Sequence, residues 1–395
     1  MNHNDQPAPA SASHPTLAIF GPEHHPVPRT LADIARATIQ RHPEAVAIDC
    51  EGNQLTYAEF SVIVDEQVER LRLCGIGRGD RVGIYVPPGS MQLYVTVLAV
   101  VFAGATHVPV DWEESEDRAQ AVWEAADVHV VYGADLQLTV RRPMSGPPDV
   151  SPPGPDDDTW IRVTGPTDAL QLVSTTHRSA VAIAQTQARA YLQEAPLGPG
   201  DRVMTRQVIT SLAAAKEVWL SWYAGATLVP VPCAVYNSHQ KLIAWIVEQE
   251  ITVIAATPDM ATAWPRQTLD KVRLLILIGQ DAPRDVLERL RRPGMEIWTG
   301  YRDTFTAARL YDGEILCTLP GNVGGPLPGM GLAVVDGHGQ PVRWGKTGEI
   351  VVTGPALDPH LGLAEEAGKC RPLPALGWER ALHTGTQVRA EPDGL

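Results

Sequence analysis

Leu98–Val110, "LAVVFAGATHVPV", and Trp219–Pro232, "WLSWYAGATLVPVP", repeat one pattern. Each is an apolar run that ends at Ala-Gly-Ala and continues into a short β-rich stretch closed by proline. An apolar helix ending at glycine and followed by a strand is the second half of a strand–helix–strand unit. Outward from the first copy, "GDRVGIYV" (Gly79–Val86) reads as a turn and a strand, and Met91 opens the helix. Helical spacing also marks Leu31–Arg41 and Ala58–Cys74, where Phe60, Val64, Val68 and Leu71 recur every three or four residues. "ADVHVVYG" continues the alternation. Around the second copy, "DRVMTRQ", a helix over Ser211–Tyr223, a helix over His239–Glu250, "ITVIAATP" and "VRLLILIG" alternate again. The pattern predicts two tandem α/β lobes with mainly parallel sheets. From Cys317 onward, Gly, Pro and short strands such as "LAVVD" and "EIVVTG" predict a small distorted β-barrel.

The chain accordingly divides into a flexible N-terminal tail (1–28), a first α/β lobe (29–141), a Pro-rich linker or loop (142–160), a second α/β lobe (161–316) and a β-barrel-like subdomain (317–395). The linker, "RPMSGPPDVSPPGPDDDT", can neither continue a helix nor supply a central strand. Asp156–Asp158 within it reads as a solvated charge run, and His24-His25 as an incidental pair, so no metal site is expected.

Composition narrows the function. A formal charge of −14 and a pI near 5.3 lack the basic stripe that tracking a phosphate backbone needs, which argues against nucleic acid. Five scattered cysteines without C-x-x-C spacing suggest neither disulfides nor zinc, and point to a reducing cytoplasm. The first residues, "MNHNDQPAPASASHPT", lack the basic start and apolar core of a signal peptide. Met91–Val110 is the longest apolar run, but Gln92, Thr96, Gly104, Thr106, His107 and Pro109 interrupt it, so no membrane span is expected.

Four further stretches, in order, carry a resemblance. "QLTYAEF" (Gln54–Phe60), "VFAGATHVPVD" (Val101–Asp111), "GGPLPGMGLAVVDGHGQPVRWGKTGEIVVTGP" (Gly324–Pro355) and "LHTGTQVRAEPDG" (Leu382–Gly394) resemble successive motifs of the adenylate-forming superfamily. The match is to the N-terminal core of the amino-acid adenylation domain of nonribosomal peptide synthetases. That resemblance implies two α/β lobes plus a distorted barrel, with the mobile C-terminal adenylation subdomain and its lysine expected to be absent.

Joining a carboxylate to the α-phosphorus of ATP relies on positioning and charge neutralisation. The resemblance implies where each device should lie. The phosphate loop, T-S-G-S/T-T-G-x-P-K-G, should precede a helix opening V-x-x-x-H. Here "LQLV" (Leu170–Val173) reads as the strand before it and "STTHRSAVAI" as the segment after it, so the loop is expected to have been cut out. Ser174, Thr175 and Thr176 would be remnants that cap the following helix. The aspartate that holds a substrate ammonium falls on Leu212, which removes the counter-charge for a buried amino group. Lys216 and Glu217 on the same helix read as an exposed intrahelical pair. The Y-G-P-T-E motif is replaced by "TGYRD" (Thr299–Asp303), in which Asp303 could still ligate a metal and Arg302 replaces threonine. The ribose-gripping aspartate is Thr386.

These losses predict no catalytic residue and no cofactor. The expected protein is an adenylation-like pseudoenzyme in natural-product biosynthesis. It would bind a carrier protein, condensation domain, tailoring enzyme or small accessory protein. The alternative is an unusual adenylate-forming or acid-binding enzyme, completed by a partner, with Asp303 and His177 as its nearest chemical groups.

Overall fold

The computed structural model describes residues 17–20 and 29–391, except 145, 207, 280–281, 302–305, 313, 318–323 and 358–368. Along the chain come β1 (Ile19–Phe20), α1 (Leu31–Arg41), β2 (Val46–Cys50), β3 (Asn53–Thr56), α2 (Tyr57–Leu73), β4 (Arg81–Ile84), α3 (Met91–Phe102) and β5 (Thr106–Pro109). Next are α4 (Glu116–Ala125), β6 (Val130–Tyr132), β7 (Leu138–Val140), β8 (Asp158–Thr164), β9 (Gln171–Thr176) and α5 (His177–Ala190). The second round adds β10 (Arg202–Thr205), α6 (Leu212–Ala224), β11 (Thr227–Pro230), β12 (Val253–Ala256), β13 (Leu274–Ile278) and β14 (Glu296–Tyr301). It closes with β15 (Thr306–Asp312), β16 (Ile315–Leu316) and β17 (Gly325–Pro326). The last strands are β18 (Gly331–Val335), β19 (Thr347–Thr353), β20 (Cys370–Leu373) and β21 (Trp378–Arg389).

The two Ala-Gly-Ala segments do what their sequence demands. Gly104 and Gly225 both take left-handed φ, +77° and +82°, and each turns an apolar helix into a parallel strand. At Gly225 a Cβ would also meet the His42 ring at 2.7 Å, so both the dihedral and the space call for glycine.

Three sheets result. One runs β7-β6-β4-β5-β8-β9, parallel at its centre and antiparallel at both edges. A second, larger sheet runs β16-β15-β14-β13-β12-β10-β11-β2-β3, with β17 pairing β15. The sheets do not respect the segment boundaries read from the sequence. Val46–Thr56, assigned to the first lobe, completes the second sheet through Ile48 opposite Leu228. Asp158–Thr176, placed across the linker and second lobe, completes the first sheet through Trp160 opposite His107. An ion pair between buried Asp49 and half-buried Arg202, at 2.9 Å, ties β2 into its sheet. Burial raises the Asp49 carboxyl pKa, but hydrogen bonds from Gln54, Arg202 and the Gly52 N–H outweigh it and hold the group below its ordinary value.

The third sheet, β1-β18-β19-β21-β20, is antiparallel. Its path is open among the described residues, so the barrel-like subdomain takes the form of a sheet. Residues 17–20, expected within the flexible tail, supply its edge. Ile19 and Phe20 pair with Ala333 and Leu332, and Ala18 is fully buried. A short apolar run can pair with a waiting sheet edge wherever it lies in the chain, which composition alone does not reveal. His24-His25 lie outside the described residues.

Candidate functional site

The position of the phosphate loop comes first, because the structure corrects its reading. The strand before the loop is β8, Asp158–Thr164, not Leu170–Val173. The two strands form a hairpin, with Thr164 opposite Gln171, and β9 flows directly into α5. Val173 to His177 therefore supplies the V-x-x-x-H that follows the loop, and what stands in its place is the turn Gly165-Pro166-Thr167-Asp168-Ala169-Leu170. Between the two strands stands a tight turn with one glycine and no lysine. Local pattern could show that Leu170–Val173 is a strand, but only its pairing partner shows which of the two it is.

That turn is fixed by its own contacts. Gly165 has φ +84°, and a Cβ there would meet the Ala169 carbonyl at 2.5 Å. The Ala169 N–H donates back to the Pro166 carbonyl at 2.9 Å. Arg118 on α4 donates to the Gly165 carbonyl at 2.7 Å and to Thr167 Oγ1 at 3.3 Å. Nothing here resembles the lysine and glycine-borne N–H donors that cradle a polyphosphate.

The polar residues after the turn serve the fold. Thr176 is the N-cap of α5, accepting from the Ser179 N–H at 3.3 Å. Thr175 is buried and Ser174 half-buried, paired across the hairpin with Trp160 and Ile161. The aspartates of the linker are not merely solvated. Asp156 holds Arg178 through two bonds of 2.7 and 2.8 Å, and Asp157 holds Arg78 at 2.5 and 3.0 Å.

His177 is fully buried, and its Nδ1 accepts the Leu31 N–H at 3.1 Å, which caps the start of α1 from outside. Burial lowers its pKa to about 4, against the pull of Asp157 and Asp33. His107 on β5, which the sequence reading passed over, is 5% exposed and lies parallel to Trp160, centroids 6.1 Å apart. Burial, and secondarily His177, lower its pKa to about 3, opposed by a backbone hydrogen bond at Thr159. Both imidazoles are neutral at physiological pH.

On the far side, α6 begins at Leu212 after its N-cap Ser211, whose Oγ accepts from the Ala214 N–H at 3.1 Å. Lys216 and Glu217, expected to be exposed, are 8% and 4% accessible. The reason is the rest of the helix: Ala214, Val218, Trp219, Leu220 and Trp222 are buried, so the helix packs on more than one face. Glu217 Oε2 accepts the Arg206 N–H at 3.3 Å. Gln187, Val203, Lys216, Glu217, Ile276 and Gly300 wall a narrow, mostly apolar cavity between α5, α6 and the large sheet. The signal in the sequence was a Lys-Glu pair inside "LAAAKEVWLSWYA", too apolar a helix to lie on a surface.

Of "TGYRD", Thr299 and Gly300 lie on β14, while Arg302 and Asp303 are outside the described residues. Thr384-Gly385-Thr386 lies on β21. There Thr384 Oγ1 donates to the Ile350 carbonyl, the Gly385 N–H donates to Glu349 Oε1 at 2.8 Å, and the Thr386 N–H donates to Thr384 Oγ1. Among the described residues no group of three or more His, Cys, Asp or Glu could hold a metal ion, and no helix is long and apolar enough to cross a membrane.

Two α/β sheets and a third antiparallel sheet define the fold class, and solved adenylation structures share that fold. The synthetase FmoA3 in its alpha-methyl-L-serine-AMP bound form is 24% identical, with a TM-score of 0.77 over 94% of this chain and 45% of that one. The Klebsiella oxytoca NpsA N-terminal subdomain, in complex with 3-hydroxybenzoyl-AMSN, is 19% identical, with a TM-score of 0.75 over 93% of this chain and 98% of that one. Residues 35–359 match the AMP-binding enzyme family, and the chain belongs to it. Among its relatives are the probable non-canonical nonribosomal peptide synthetase CymA of Salinispora arenicola, 28% identical over 92% of this chain, and the delta-poly-L-ornithine synthetase of Acinetobacter baumannii, 25% identical over 83%. The chain spans only 5% and 25% of those two proteins. It is an adenylation-like domain related to nonribosomal peptide synthetases.

Proposed function

We propose that this adenylation-like domain is a pseudoenzyme. It acts in nonribosomal peptide biosynthesis by holding a protein of the assembly line, such as a carrier protein, condensation domain, tailoring enzyme or small accessory protein. The observation that carries the reading is the turn Gly165–Leu170. A polyphosphate brought to β8 and β9 would meet a short turn without lysine, closed on its own backbone and clamped by Arg118. Thr386 in place of the ribose-binding carboxylate, and Leu212 in place of the ammonium-binding one, remove two more charges from the same chemistry. The cores of all three sheets, by contrast, remain closely packed. Selection that keeps shape while discarding charge fits a protein-binding role.

The test is calorimetric titration with Mg-ATP, alongside pyrophosphate exchange over a panel of carboxylic acids. A flat titration and no exchange are expected. Micromolar binding, about −8 kcal/mol, would overturn the reading. A second reading draws on the cavity walled by Lys216 and Glu217: an acid-binding enzyme whose nucleotide grip comes from a partner. Exchange activity that appears only on adding a carrier protein would favour it.

A further inference from the structure

Beneath the junction of the two α/β sheets lies a second, small chamber, lined in part by Leu31, His107, Thr159, Trp160, Thr175 and Lys216. It touches α1, α5, α6 and the strands β5, β8 and β9, so it sits where the first sheet meets the helices of the second lobe. Three of its lining residues each carry a buried polar atom with no protein partner: His107 Nδ1, Thr159 Oγ1 and Trp160 Nε1. Those residues are 5%, 0% and 4% exposed. A fourth such atom, Nε2 of the fully buried His177, is close by. His177 bonds Leu31 of the chamber wall and interacts electrostatically with His107.

An unpaired buried polar atom is costly, and three residues that carry one while lining a single chamber, with a fourth close by, call for a shared partner. Their chemistry is complementary. His177 Nδ1 accepts a hydrogen bond, so in the neutral ring Nε2 carries the proton and donates. Trp160 Nε1 only donates, the unpaired His107 Nδ1 can accept, and the Thr159 hydroxyl can do either. These atoms ask for an occupant that donates and accepts at once and is very small, since the chamber has room for about one or two waters.

We propose that this chamber is a built hydration site. Water held there bridges the His107, Thr159 and Trp160 side chains and ties β5 to β8 on the face of the first sheet that meets α5 and α6.

The test pairs two near-isosteric substitutions, Thr159→Val and Trp160→Phe, with oxygen-17 magnetic relaxation dispersion, which counts waters that exchange slowly with bulk. Circular dichroism checks that both variants fold. At least one long-lived water is expected to disappear from Thr159→Val or Trp160→Phe, with a fall of several degrees in melting temperature in the same variant. An unchanged count in both variants would overturn the proposal. So would a rise in melting temperature in both, because deleting an unpaired polar atom from a dry cavity stabilises a fold. If neither variant folds, a crystal structure of the unaltered chain decides, with ordered water density between His107 and Thr159 expected and a dry chamber overturning the proposal.

Discussion

Lowering the pH from 7.5 to 5 should weaken this fold well before its carboxylates titrate. His107 and His177 are buried as neutral rings, with pKa values lowered to about 3 and about 4 from an ordinary 6.5. The unfolded chain therefore binds protons at both positions in a range where the folded chain does not. Stability contributed by these groups is fully present above pH 6.5, falls through both groups as the pH drops to about 4 and through His107 alone to about 3, and changes little below that. With two groups the slope approaches about 2.7 kcal/mol per pH unit, and the loss reaches about 4 kcal/mol by pH 5. That is a large share of a typical stability of about 5–15 kcal/mol. Asp49, Asp156 and Asp157, whose pKa values are held below the ordinary 3.8, lose their contribution only below that value, so the loss between pH 7.5 and 5 belongs to the histidines. Urea denaturation at half-unit steps of pH measures the slope. His177→Asn keeps an acceptor for the Leu31 N–H but does not titrate, so it should halve the loss to about 2 kcal/mol. Wild-type stability that stays flat between pH 7.5 and 5, or an Asn variant with the wild-type slope, would refute the reasoning.

Arg202→Met, which leaves Asp49 buried with Gln54 and the Gly52 N–H as its remaining partners, should cost about 3 kcal/mol in a urea midpoint series. Its effect should fade only as the pH falls below the ordinary carboxylate value of 3.8 and through the lowered pKa of Asp49. Gly225→Ala should destabilise by about 1–2 kcal/mol or more, since it meets both a left-handed φ of +82° and the His42 ring. Truncation of His42 to alanine in the same chain should recover only the part due to the ring.

Much of this architecture could be read locally. Each Ala-Gly-Ala fixed a helix end and the strand after it, because glycine chemistry and apolar run length act over a few residues. What the sequence withheld was partnership. Val46–Cys50 reads as a strand, yet nothing in it says that its neighbour is Thr227–Pro230, some 180 residues away. The same blindness misplaced Leu170–Val173, whose apolar character suits either strand of a hairpin. Lys216 and Glu217 were assigned to the surface from their charge, whereas the apolar residues around them on α6 carry them inside. That Leu212 and Thr386 carry no charge was legible without tertiary context. The polar lining of the small chamber was not, since His107, Thr159 and Trp160 become neighbours only once β5 pairs with β8.

The exchange of strands between the two α/β sheets also bears on how such domains could be shuffled between genes. A crossover in the Pro-rich stretch near residue 150 looks harmless, but it would force mismatched parents together along three seams, β11 against β2, β5 against β8 and β1 against β18. Moving the crossover past Thr176 removes the second of these. Recombinants that join in the obvious linker should therefore be the poorer inheritors of this fold.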